Sequence, residues 1–158
     1  MANPIDNAWS EFEAILNTVD SPQELDESQV SAEQYFKMLT ETEESYESIR
    51  QDSSDINKIS TNIDKDLETV GRVKTHIFFA EHDITYQDGS QIRKRLDADP
   101  LIANAWNRLT CATHTDDDLA FFAHEEYESL IEIRDNLSYN EAHELTIIAG
   151  FVWNFKGD

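Results

Sequence analysis

DPLIANAWNRLTCATHTDDDLAFFAHEEYESLIEIRDNLSYNEAHELTIIAG, residues 99–150, contains three helix starts and a helix stop. Asp99 stands before Pro100 at a first helical position, where the missing proline amide costs nothing. Leu101, Ile102, Ala105, Trp106 and Leu109 then recur on one helical face. Thr115 opens a second helix, with Asp116, Asp117 and Asp118 at the positive end of its dipole. Ser138-Tyr-Asn-Glu141 has the pattern of a reciprocal capping box, and Gly150 suits a left-handed helix stop. Three helices joined by short turns therefore form a compact unit. The fold class is mainly α.

Upstream, Val73 to Ala80 reads as the end of a long helix or the start of a strand. Ile84-Thr85-Tyr86, Asp88-Gly89 and Gln91 to Leu96 have the pattern of a short β-hairpin near 84–96, with Asp-Gly suiting a type I′ turn. The first half reads as helices with thin apolar stripes: Ile5, Trp9, Phe12, Leu16 and Val19 before a stop at Ser21-Pro22, then a helix from Ser31 carrying Tyr35, Phe36, Leu39, Tyr46 and Ile49. Ile56, Ile59, Ile63, Leu67, Val70 and Val73 approach a heptad spacing. Packing within the chain or a homodimer through residues 56–73 satisfies them equally. Glu41 to Ser54 is Glu/Ser-rich and reads as a solvated helix or a flexible joint. Gly71 marks a change of character. The expected division is an acidic helical segment at 1–70 and a His/Glu-bearing helical domain at 71–158.

Asp and Glu outnumber Lys and Arg by 33 to 12 over 158 residues, a net charge of −21. Residues 1–70 hold 17 acidic and 4 basic side chains, a net of −13. Phosphate binding needs cations, so this balance disfavours direct nucleic-acid binding and favours a protein partner with a basic surface. A single cysteine, Cys111, forms no internal disulfide and reads as structural. Met1 to Ser10 lacks a basic stretch followed by an apolar core, and no apolar run approaches ~18 residues, so neither a secretory signal nor a membrane span is expected. The expected location is cytoplasmic, or that of an effector delivered without a cleaved signal.

The concentrated chemistry is His124-Glu125-Glu126-Tyr127-Glu128. Residues four apart share a helix face, so His124 and Glu128 point the same way, with Glu125 beside them. His143, five residues after Ser138, comes from the following helix and completes a His/Glu/His cluster. Two imidazoles and a carboxylate make a zinc site with one position left for water. Without metal, the same groups serve acid–base chemistry. The metalloprotease pattern with a second His four residues after the first is not met, since Glu128 stands there. His76 is a further candidate and His82 a weaker one. His114 reads as solvated. Trp106, Phe121 and Phe122 read as core, and Trp153 and Phe155 as a terminal strand or a wrap over the core.

The run Phe78 to His82, Arg95-Leu-Asp-Ala-Asp-Pro100, Ala105-Trp-Asn-Arg-Leu109, Asp118-Leu-Ala-Phe-Phe-Ala-His-Glu125 with Glu128, and Tyr139-Asn-Glu-Ala-His143 resembles a C-terminal module of bacterial polymorphic toxins. Such modules cap large secreted or contact-delivered proteins. The resemblance covers about Val73 to Asn154 and implies His76, His124, Glu125, Glu128 and His143 as active-site positions. The expectation is a toxin-like hydrolase. Its catalytic residues are His124, Glu125, Glu128 and His143, and its ligands for zinc or another divalent metal are His124, Glu128, His143 and His76. Nuclease and peptidase activities both stay open. The alternative is an acidic nonenzymatic binding protein, such as an immunity protein, inhibitor or nucleic-acid mimic. Converging histidines favour the enzyme, and carboxylates spaced along a ridge favour the mimic.

Overall fold

A computed structural model describes residues 31–154. The helix expected over Ile5 to Val19, its stop at Ser21-Pro22, and Phe155 lie outside them. The chain falls into two compact units, Met1–Glu41 and Thr42–Asp158. The boundary lies inside helix α1 (Ala32–Gln51). In the first unit, Ser31 and Gln34 cap the helix reciprocally: the Gln34 N–H donates to Ser31 Oγ (3.2 Å) and the Ser31 N–H to Gln34 Oε1 (3.1 Å).

The second unit is mainly helical, with one two-stranded hairpin. After the last turns of α1 come α2 (Asp55–Ile63) and α3 (Leu67–Lys74). A π-helical turn (Thr75–Phe79), β1 (Glu81–Thr85) and β2 (Gln91–Arg95) follow, then α4 (Pro100–Thr110), α5 (Asp116–Arg134) and α6 (Tyr139–Ile148). The Glu/Ser-rich stretch is helical through Gln51, with Thr42, Tyr46 and Ile49 buried beneath its exposed glutamates.

The near-heptad stripe is two helices and not one. Asp64 takes a left-handed conformation (φ 54°) that closes α2, and Asp66 caps α3 by accepting the Thr69 N–H at 2.7 Å. A cap needs extended backbone, so it overrides the apolar period. Ile59, Val70 and Val73 are buried in the same core as Trp106, Phe121 and Phe122. Ile56 and Ile63 rest against that core while Leu67 stays exposed, so most of the stripe packs within the chain and the core crosses position 70. Gly71 lies inside α3 and breaks nothing.

The hairpin begins at Glu81, three residues earlier than the sequence pattern suggests, and pairs Glu81 with Arg95 through Thr85 with Gln91. Its turn is not type I′, which needs two residues at positive φ. Only Gly89 has one (φ 85°). The Gly89 N–H donates to the Tyr86 carbonyl and the Tyr86 N–H to the Ser90 carbonyl (2.9 and 2.8 Å), the pattern of a three-residue loop with glycine in the bulge.

At the centre, Phe78 stands edge-on between Tyr46 and Trp106, with ring centroids 4.8 and 5.2 Å away. Their polar tips are satisfied. Trp106 Nε1 donates to Asp55 Oδ2 (3.0 Å), Asp55 pairs with the buried Lys74 (2.7 Å), and the Tyr46 hydroxyl accepts the Asp99 N–H (3.0 Å). Asp99 and Pro100 begin α4 as the sequence suggests. Asp118 completes the capping box of Thr115 while both its oxygens accept from Arg108 at 2.7 Å, which locks α4 to α5. Ser138 accepts the Glu141 N–H (3.2 Å) at the start of α6, which packs on α5.

Candidate metal centre

Helix α5 buries polar side chains along with apolar ones. His124, Glu125, Glu128 and Ser129 are enclosed together with Phe121, Phe122 and Ile131. His124, Glu128 and Glu132 follow one another at four-residue steps and so share a face, with Glu125 adjoining it. A carboxylate as enclosed as Glu128, whose side chain is 0% exposed, is tolerable only with close partners. Three elements supply them.

Helix α6 brings His143, whose Nδ1 lies 2.8 Å from Glu128 Oε2. His124 Nε2 lies 2.9 Å from the same oxygen and 3.3 Å from His143 Nδ1. The far nitrogen of His124, Nδ1, donates to the Phe151 carbonyl (2.6 Å), which fixes the ring with Nε2 turned to the cluster. That carbonyl is placed by the end of α6. Gly150 at φ 98° lets the chain reverse, with the Gly150 and Phe151 N–H groups returning to Ile147 and Thr146 (3.0 and 3.2 Å). The segment then wraps over the core, putting Trp153 edge-on to Phe121 (5.2 Å) and His124 (6.1 Å).

The third element is the π-helical turn. It buries His76, Ile77 and Phe78 in succession, sending Phe78 into the core and His76 to the carboxylates. Arg72, one turn earlier, donates to Ser129 Oγ (3.1 Å) and holds α3 against α5. His76 Nε2 lies 2.9 Å from Glu128 Oε1 and 3.5 Å from Glu125 Oε2, and its Nδ1 is 3.7 Å from Glu132 Oε2. Glu128 therefore turns one oxygen to His124 and His143 and the other to His76.

His82, on β1, stands apart from this pattern. Its Nδ1 faces Glu132 Oε1 (2.6 Å) and its Nε2 faces the His76 carbonyl (2.7 Å). Both partners are acceptors, so both ring nitrogens carry hydrogens and His82 is an imidazolium paired with Glu132. Burial works against that charge, but the bonds to Glu132 and the His76 carbonyl outweigh it and raise the His82 pKa.

Burial likewise pushes the Glu128 carboxyl up. The imidazoles of His124, His143 and His76 overcome it and hold Glu128 well below the usual carboxylate range. Glu125 shifts the other way: burial first, then the charges of Glu128 and Glu132, raise it well above that range. His143 is raised chiefly by its bond to Glu128.

His124 Nε2, His143 Nδ1 and Glu128 Oε2 lie within 4.8 Å of one another, as do donor atoms of His76, Glu125 and Glu128. Donors about 2.0–2.1 Å from a tetrahedral ion are about 3.3 Å apart, so the first trio accepts such an ion after opening by about half an ångström. A cavity of about 330 Å³ reaches the two histidines of this trio, lined by Leu101, His124, His143, Ile147, Val152, Trp153 and Asn154. His143, 41% exposed, stands at its rim.

The residues singled out from the sequence, His76, His124, Glu125, Glu128 and His143, thus converge. His114 is half-buried and belongs to none of these groups, and Cys111 is exposed instead of structural. Sequence reasoning missed two neighbours. Glu132 is one more four-residue step from Glu128, a signal present in the sequence. Tyr139 stacks on His143 (5.7 Å between centroids, 23° between planes), one four-residue step before it on α6, so the same signal marks it.

These features define a mainly α protein with a buried His/Glu cluster able to hold a metal ion. No family model matches the chain, nor does any curated protein or solved structure.

Proposed function

We propose that this chain is a metal-dependent hydrolase acting on an uncharged amide or ester that carries an apolar group. The observation behind this reading is the convergence of His124 Nε2, His143 Nδ1 and Glu128 Oε2 at a cavity with apolar walls. Those three atoms would hold zinc or a similar divalent ion, which when bound activates water and polarises a carbonyl. The Phe151 carbonyl orients His124, and Tyr139 supports the ring of His143. Leu101, Ile147, Val152 and Trp153 would receive an apolar side chain. No Lys or Arg lies among the residues lining the cavity, which supports an amide or ester over a phosphodiester, whose charge calls for cations.

Converging histidines favour an enzyme over an acidic mimic. Together with the resemblance to polymorphic-toxin modules, this supports a toxin-like hydrolase delivered into a target bacterium.

Expression inside a bacterium should arrest growth. Glu128→Gln or His143→Ala should abolish the arrest, while neutralising Glu41, Glu43, Glu44 and Glu47 should leave it intact. The purified protein should cleave peptides with apolar side chains in a chelator-sensitive way. A wild-type protein that is harmless in cells and inert on peptides would contradict the reading, as would preferential cleavage of nucleic acid.

A further inference from the structure

We infer that the cluster is dinuclear: a second divalent cation binds His76 Nε2, Glu125 Oε2 and Glu128 Oε1, with the Glu128 carboxylate bridging the two ions. This rests on the hydrolase reading for the first ion and adds a buried partner to it.

Two carboxylate oxygens compete for one nitrogen of His76. His76 Nε2 carries at most one hydrogen, yet it faces both, Glu128 Oε1 at 2.9 Å and Glu125 Oε2 at 3.5 Å. One N–H serves the nearer oxygen and leaves the farther one without a hydrogen bond. Glu125 Oε2 is indeed a buried oxygen with no hydrogen-bond partner, on a side chain 7% exposed. A cation placed among the three atoms satisfies all of them at once.

The surroundings fit a metal ligand at His76. With Nε2 on the ion, its Nδ1–H points towards Glu132 Oε2 at 3.7 Å, another buried oxygen without a hydrogen-bond partner. A carboxylate behind a ligating histidine fixes the tautomer and raises its basicity. Glu132 is in turn held by His82, whose two nitrogens are both engaged. His82 thus backs Glu132 as its hydrogen-bonded support.

Glu128 joins the two sites because its oxygens diverge, Oε2 to His124 and His143 and Oε1 to His76. A carboxylate used this way holds two ions about 3.5–4 Å apart, the spacing of two-metal hydrolytic centres. The sites differ in access. The first has His143 at the cavity rim, whereas the side chains of His76, Glu125 and Glu128 are 4%, 7% and 0% exposed. The second ion should exchange slowly and the first quickly.

The test uses full-length protein loaded with Mn²⁺, bound metal being counted by mass spectrometry and coupling read by electron paramagnetic resonance. Wild type should bind two equivalents and give an exchange-coupled signal. Glu125→Gln, nearly isosteric, should bind one and give an isolated-ion signal, and His143→Ala should lose the fast-exchanging ion. One equivalent in wild type, unchanged by Glu125→Gln and lost in His143→Ala, would overturn the second site and leave the hydrolase reading standing. Two equivalents unaffected by Glu125→Gln would also overturn it. No metal in wild type would overturn both. Should Glu125→Gln fail to fold, the wild-type spectrum decides: two uncoupled ions refute the bridge and a coupled pair supports it.

Discussion

At Glu128 a single buried carboxylate gathers three imidazoles, each at hydrogen-bond distance. Removing one partner from a buried charged group costs about 3–5 kcal/mol, because the rest stay enclosed without a counter-charge. Glu128→Ala should therefore lower unfolding free energy by about that much, measured by urea denaturation of metal-free protein. His143→Ala, at the half-exposed rim, should cost far less while still weakening metal binding. Of these residues, His124, Glu128 and His143 were legible because helix geometry turns a four-residue step into a shared face and a short turn brings back the next helix. His76 was readable as a candidate, but not the route it takes. A π-helical turn has no composition signature in Thr75 to Phe79, and only the folded chain reveals that three successive residues there are buried.

Among the elements, α5 and the end of α6 set the geometry of the site. Asp118 closes the capping box of α5 and binds Arg108 through both oxygens. Burial raises its pKa, but the Arg108 and Thr115 bonds prevail and lower it. Asp118 therefore contributes its full stabilisation above the unfolded carboxyl pKa of about 3.9, and loses it as pH falls through the lower folded value. Asp118→Asn should cost about 1–2 kcal/mol at neutral pH and flatten the acid side of a stability–pH curve. Gly150 at φ 98° stops α6 and aims the Phe151 carbonyl at His124. A Cβ there meets nothing within 4 Å, so Gly150→Ala should cost only the left-handed backbone strain, about 1–2 kcal/mol. It should also weaken metal binding, because the carbonyl that orients His124 moves. Titration of both variants with Zn²⁺ checks this. The starts and stops of α4, α5 and α6 were legible from their caps. The break between α2 and α3 was not, since the apolar period runs straight through Asp64 and Asp66.

For the molecule as a whole, the core of the second unit begins inside α1 and not after residue 70. Tyr46 and Ile49 are buried in it, 1% and 4% exposed. Truncating a buried aromatic or isoleucine to alanine costs about 2–5 kcal/mol, and whole domains hold only about 5–15. Deleting residues 1–50 should thus unfold the site, while deleting 1–41 should leave a cooperative thermal transition, both followed by circular dichroism. Charge density falls after residue 70, which by itself suggests a boundary there. Packing ignores it, since the exposed glutamates of α1 lie over a buried stripe of the same core. Composition reads the surface, and the core is read from periodicity and caps together. Whether His124, Glu128 and His143 hold a metal ion is decided by metal analysis of purified protein beside His124→Ala. Wild type should carry bound divalent metal and a folded His124→Ala one equivalent less. Wild type without metal after Zn²⁺ loading, or a variant that keeps its full complement, would contradict a metal site at these residues.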